Sequence, residues 1–177
     1  MALPMTPIFT QTVGSGGAAS VTFNNIPQFY TDLKVVISMR TALGSGNIYD
    51  IINVAINGGT TKISYTGLYG TGSSAASERV ATSSAVNWLG YPEANGATAN
   101  TFSSHEIYIA NFAGSNSKSI MHDYVVENNA TANIMGIIGG LWQSSSGISS
   151  LSFSSANSAN IMQYSTFSLY GILRAGA

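Results

Sequence analysis

Residues 33–39 read Leu-Lys-Val-Val-Ile-Ser-Met, which sets Leu33, Val35, Ile37 and Met39 on one side and Lys34 and Ser38 on the other with Val36. An apolar residue at every second position is the signature of a strand with one face in a core, because successive side chains of extended backbone point to opposite faces. The same period recurs on either side of this stretch. Residues 21–25 form an earlier candidate strand. Further on, residues 104–112 alternate His105, Ile107 and Ile109 against Glu106, Tyr108 and Ala110. The turn cluster Gly114-Ser115-Asn116-Ser117 then leads into residues 118–127, as expected of two paired strands. Residues 148–154 and 162–173 close the chain as strands. In the last of these Tyr164, Thr166, Ser168, Tyr170 and Ile172 lie opposite Phe167 and Leu169.

Between these anchors the pattern is weaker. Residues 50–56 and 62–65 flank Asn57-Gly58, a dipeptide suited to a tight turn, and so resemble a hairpin. Residues 67–100 read as a long loop with one strand candidate over 81–89. The string G-L-Y-G-T-G at 67–72 reverses the dinucleotide-binding spacing and is read as loop. Residues 132–142 contain Gly136, Gly139 and Gly140, which weaken any regular element, and the reading leans to strand with a short helical turn. Eight or nine short strands at this spacing predict an all-β, antiparallel β-sandwich of jelly-roll-like type. Pro4, Pro7 and the Gly14-Ser15-Gly16-Gly17 run mark residues 1–20 as an extended N-terminal arm, leaving 21–177 as one domain.

The 177 residues carry six basic and seven acidic side chains, a net charge of -1 and 7% charged residues, against a usual share of about 25%. Ser, Thr and Asn stand where Lys and Glu normally coat a surface. So few scattered cations make no basic stripe, which argues against nucleic acid as a partner. The absence of Cys excludes disulfides, thiolate metal sites and a Cys nucleophile. The first charged residue is Asp32, so no basic leader is visible, and no long apolar run suits a membrane span.

Candidate chemistry is sparse. His105 and His122 are the two histidines, each followed by an acid, Glu106 and Asp123. On a strand such neighbours face apart, but cross-strand pairing would bring the two histidines together. A metal would then need carboxylate ligands from Glu106, Asp123 or Glu127. A sheet-surface or core role outweighs that reading, and the expectation is no metal, no cofactor and no catalytic residue. No G-x-S-x-G elbow accompanies the many serines. A convergent carboxylate pair from distant strands is the enzyme reading left open, and the chain is expected not to be an enzyme.

The interval from Asn128 to Leu173 holds no charged residue, so its sheet edges lack the charges that block unwanted pairing. Cover from sibling copies or another protein is the expectation. Candidates for partner contact are the apolar arm residues Leu3, Pro4, Met5, Ile8 and Phe9, together with the aromatic residues Tyr69, Trp88, Tyr91 and Trp142, although a Trp is by default a core residue.

Four strings extend this reading: F-N-N-I-P-Q-F-Y-T-D-L-K-V-V-I-S from Phe23, T-F-S-S-H-E-I-Y-I-A-N-F from Thr101, E-N-N-A-T-A-N from Glu127 and Q-Y-S-T-F-S-L-Y-G-I from Gln163. Together they resemble small virion structural proteins of tailed bacteriophages, notably those of aquatic and cyanobacterial phages. The resemblance implies a non-enzymatic β-sandwich subunit that forms a homo-oligomer, often a trimer. It would sit on the virion as a capsid cement or decoration protein bound to the major capsid protein. The alternative it implies is a tail fibre or spike subunit contacting host surface glycans, with Tyr69, Trp88 and Tyr91 as the stacking surface. Short length and the lack of coiled-coil heptads favour the capsid over the tail.

Overall fold

The computed structural model describes residues 5–44, 46–81, 90–127 and 133–173. Eleven strands are found among them and no helix: β1 (Met5–Thr12), β2 (Ser20–Phe23), β3 (Asp32–Met39), β4 (Ile52–Ile56), β5 (Ile63–Gly70), β6 (Ala75–Val80), β7 (Ser103–Ile109), β8 (Lys118–Glu127), β9 (Asn133–Trp142), β10 (Leu151–Ser155) and β11 (Thr166–Ile172). They form two antiparallel sheets. The larger has the order β1-β11-β3-β7-β8-β9-β5-β6, and the smaller has the order β2-β10-β4.

The alternation in residues 33–39 becomes the centre of the core. Leu33, Val35, Ile37 and Met39 are buried, and they meet Ile107, Ile109, Phe167 and Leu169 of the flanking strands. Val21, Phe23, Val54, Ile56, Leu151 and Phe153 of the small sheet close over this surface, completing a β-sandwich. Phe153 bridges the layers, its ring 5.7 Å from Phe167 and 6.1 Å from Phe23. The sheets divide the strands unequally, so the small sheet can cover only part of the large one.

Three local expectations are corrected. Asn57 and Gly58 do turn the chain with positive φ, but β4 and β5 are not a hairpin: β4 pairs with β10 and β5 pairs with β9. The turn is used to pass from one layer to the other. Asn57 secures it by donating to Gly147 O at 2.9 Å and accepting from the N–H groups of Ser149 and Ser150 at 2.8 and 3.1 Å. Residues 67–80, expected as loop, complete β5 and form β6, and Gly70 and Ala75 face each other across the turn between them. The strand candidate at 81–89 lies, apart from Ala81, outside the described residues.

The third correction concerns residues 133–142, which run as one continuous strand without a helical turn. Gly136 lies opposite Tyr124 on β8 and Tyr69 on β5, and a Cβ there would come within 2.5 Å of the Tyr124 hydroxyl. The missing side chain is the seat of a neighbouring aromatic ring, so the glycine is compatible with the strand.

β1 pairs along its length with β11, and Phe9 stacks on Phe23 at 5.7 Å with an interplanar angle of 8°. The extended N-terminal stretch thus finds its neighbour within the same chain, as the edge strand of the large sheet.

Candidate functional site

Among the described residues, Arg40, Asp50, Glu93, His105, Lys118 and His122 are buried, whereas Lys34, Arg79, Glu106 and Asp123 stand on the outer face of the large sheet. On the inner face, β7 and β8 pair so that His105 lies opposite Tyr124 and His122 opposite Ile107. The histidines are diagonal neighbours, with His105 Nδ1 at 3.2 Å from His122 Nε2 and both rings wholly buried. Ser103 Oγ donates to Met39 O at 2.8 Å, so it must accept at 2.7 Å from His105 Nε2–H. His105 Nδ1 is then the acceptor and His122 Nε2 the donor. One direction of donation runs from His122 through His105 and Ser103 to a strand carbonyl. Burial holds both histidines well below their usual titration range, and in His105 the neighbouring His122 adds to the effect.

Glu106 and Asp123, considered as ligands, point to the opposite face and cannot complete a metal site with these rings; no group of three or more suitable ligands is found among the described residues. Gly90 lies against the other histidine, where a Cβ would fall 2.3 Å from His122 Cε1. The pair is sealed on that side.

Next to it is an aromatic cluster. Tyr91 makes edge contacts with Tyr49, Tyr69 and Tyr124 at 5.1, 6.3 and 5.7 Å. Glu78 of β6 lies over Gly67, and burial raises its pKa. Loss of water, with the charge of Glu78 adding to it, pushes the hydroxyls of Tyr65, Tyr91 and Tyr124 upward, that of Tyr91 to about 12.

Two cations act as internal fasteners. Arg40 donates to the carbonyls of Ala97, Thr98 and Thr101 at 2.9, 2.7 and 3.0 Å, and its Nη1 lies 3.9 Å from Glu93 Oε2. Sequence reading missed this pair, because the partners lie 53 positions apart and no local pattern joins them. Lys118 donates to Gly114 O at 2.6 Å, Ser144 O at 3.2 Å and Ser146 O, and its ammonium sits 5.4 Å from the centroid of the Trp142 ring. Desolvation lowers its pKa. Asp32 accepts from Tyr108 Oη at 2.6 Å and from Asn111 N at 2.8 Å, raising the Tyr108 pKa to about 12.

The contact candidates are scattered by the fold. Leu3, Pro4 and Trp88 lie outside the described residues. Met5 is exposed, Ile8 and Phe9 are half-buried against the core, Tyr69 and Tyr91 are half-buried in the tyrosine cluster, and Trp142 is a buried core residue beneath Lys118. The structure does not bring the arm residues and the tyrosines together, since β1 is one edge of the large sheet and Tyr69, which Tyr91 contacts, lies on β5 beside the opposite edge.

A different surface stands out. On the outer face, Met121 and Val125 of β8, Met135 and Ile137 of β9 and Leu68 of β5 are exposed side by side. Monomeric surfaces seldom gather large apolar groups in this way. The sign in the sequence was that residues 118–127 and 133–142 carry apolar side chains on both faces, where a solvated strand would alternate. Compared with protein-family models, curated proteins and solved structures, the chain has no significant match in any of the three.

Proposed function

We propose that this protein is a non-enzymatic virion structural subunit of a tailed bacteriophage, a capsid cement or decoration protein that binds the shell as a homo-oligomer and stabilises it. The observation that carries the reading is the division of charge described above. Arg40, Lys118, Asp32, Asp50 and Glu93 are engaged in holding strands and loops together, while the outer face offers Leu68, Met121, Val125, Met135 and Ile137 to a neighbour. A subunit repeated by symmetry needs only weak contacts at each copy, because the attachment of one site raises the effective concentration at the next.

Labelling the protein in intact particles and imaging them tests this directly. Density on the head lattice supports the cement reading, and absence of the protein from particles overturns the virion reading altogether. The exposed Tyr49 beside Tyr91 and Tyr69 favours a second reading, a tail fibre or spike subunit whose aromatic rings stack on host surface glycans. Density at the tail, with glycan binding lost in Tyr49→Ala, selects it.

A further inference from the structure

The outer face of the large sheet is self-complementary, and we propose that a second copy of this chain packs on it face to face, related by a two-fold axis parallel to the strands and passing under the β9/β5 boundary. The inference rests on the self-association half of the reading above and not on the particle. Its starting point is the register. One row across the outer face reads Glu106, Asp123, Ile137, Leu68, Ser77; the next rows on either side read Ser104, Val125, Met135, Gly70, Ala75 and Tyr108, Met121, Gly139, Thr66, Arg79.

Within these rows one charge is frustrated. Glu106 and Asp123 stand directly opposite each other on neighbouring strands, an arrangement that like charges disfavour. Lys34 neutralises Glu106 at 2.8 Å. Asp123 has no counter-charge among the described residues, and neither has Arg79 at the other side of the apolar patch. The two are three strands apart, about 14 Å at the usual strand spacing, which is too far for one to reach the other within a single copy.

A two-fold axis along the strands exchanges β8 with β6 and β9 with β5. Ile137 then faces Leu68 of the second copy. Met135 and Val125 face Gly70 and Ala75, the small residues that floor a hollow of ≈ 490 Å³ beside Leu68. Large side chains thus enter a space left by small ones, and the exchange happens twice. Met121 comes under the aliphatic stem of Arg79, whose guanidinium must travel one row, about 7 Å along the strand, to reach Asp123. That is within an arginine's length. Both orphan charges are matched by the same operation that fills the hollow, and the aligned packing is a normal one for twisted sheets.

The test is sedimentation equilibrium of the full chain from about 10 μM to about 500 μM, a range suited to a contact at the small end of specific interfaces. The wild type should dimerise reversibly. Asp123→Arg and Arg79→Asp should each weaken the dimer at least tenfold, and the double reversal should return it to within a few-fold of wild type. Circular dichroism and thermal melting of the same samples check that these exposed positions leave the monomer folded. A monomer at every concentration, an assembly indifferent to either single reversal, or a double reversal that fails to restore association would each overturn the proposal. Particle occupancy is a separate readout: protein missing from particles but dimeric in solution sinks the virion reading alone.

Discussion

His105 Nδ1 accepts from His122 Nε2 across 3.2 Å in a space that water does not reach. Because neither ring is charged in the folded state, both must gain a proton on unfolding below the ordinary histidine pKa. Stability is therefore complete above about pH 6.5 and falls as pH drops below it, each histidine contributing about 1.4 kcal/mol per pH unit until its own lowered pKa is reached. Glu78, whose pKa is raised, acts in the opposite sense, with stability falling as pH rises above the unfolded glutamate value. Urea unfolding between pH 5 and pH 7 should show His122→Gln losing about one proton's worth of slope relative to wild type. Parallel slopes would show that the buried pair does not set the acid limit.

Two of the glycines of β9, Gly136 and Gly139, should behave oppositely despite being three residues apart. Gly136→Ala drives a methyl group into Tyr124 and should cost about 1–3 kcal/mol, as overpacking does. At Gly139 an added Cβ meets nothing within 4 Å, and Gly139→Ala should be neutral or stabilise by about 0.4–1 kcal/mol through the unfolded chain. Denaturant midpoints of the two variants decide the matter; equal midpoints would remove the seat assigned to the Tyr124 ring.

Removing Arg40 takes a cation from 3.9 Å beside buried Glu93 and a charged donor from the carbonyls of Ala97, Thr98 and Thr101, of which Thr98 O keeps Thr101 as donor. Arg40→Met should destabilise by about 3–5 kcal/mol. Adding Glu93→Gln should return at least about 1 kcal/mol, because the buried carboxylate that Arg40 faced is then neutral. A double-mutant cycle measures this coupling, and strict additivity would mean that the carboxylate is stabilised by something other than Arg40.

Truncation at the N-terminus probes the edge strand. A chain lacking residues 1–12 loses the pairing partner of β11 and the ring that stacks on Phe23. It should melt several degrees lower and aggregate more readily, since an unpaired edge is a template for association. Unchanged melting and solubility would reassign β1 to a segment detachable without consequence.

That this chain is a β-sandwich, and where most of its strands run, is legible in the residues alone, because period-two burial is a local property visible in residues 33–39, 104–112 and 118–127. The sequence also showed that His105 and His122 could meet, since a short turn between adjacent strands fixes which residues become cross-strand neighbours. What it could not show was how strands distant in the chain are joined. The unequal sheets, the passage of Asn57-Gly58 between layers, the burial of Arg40 against Glu93 and the row that sets Asp123 beside Ile137 and Leu68 emerge only once the strands pair. Such contacts depend on which strand edges pair after long loops close, and no periodicity within a single segment records that choice.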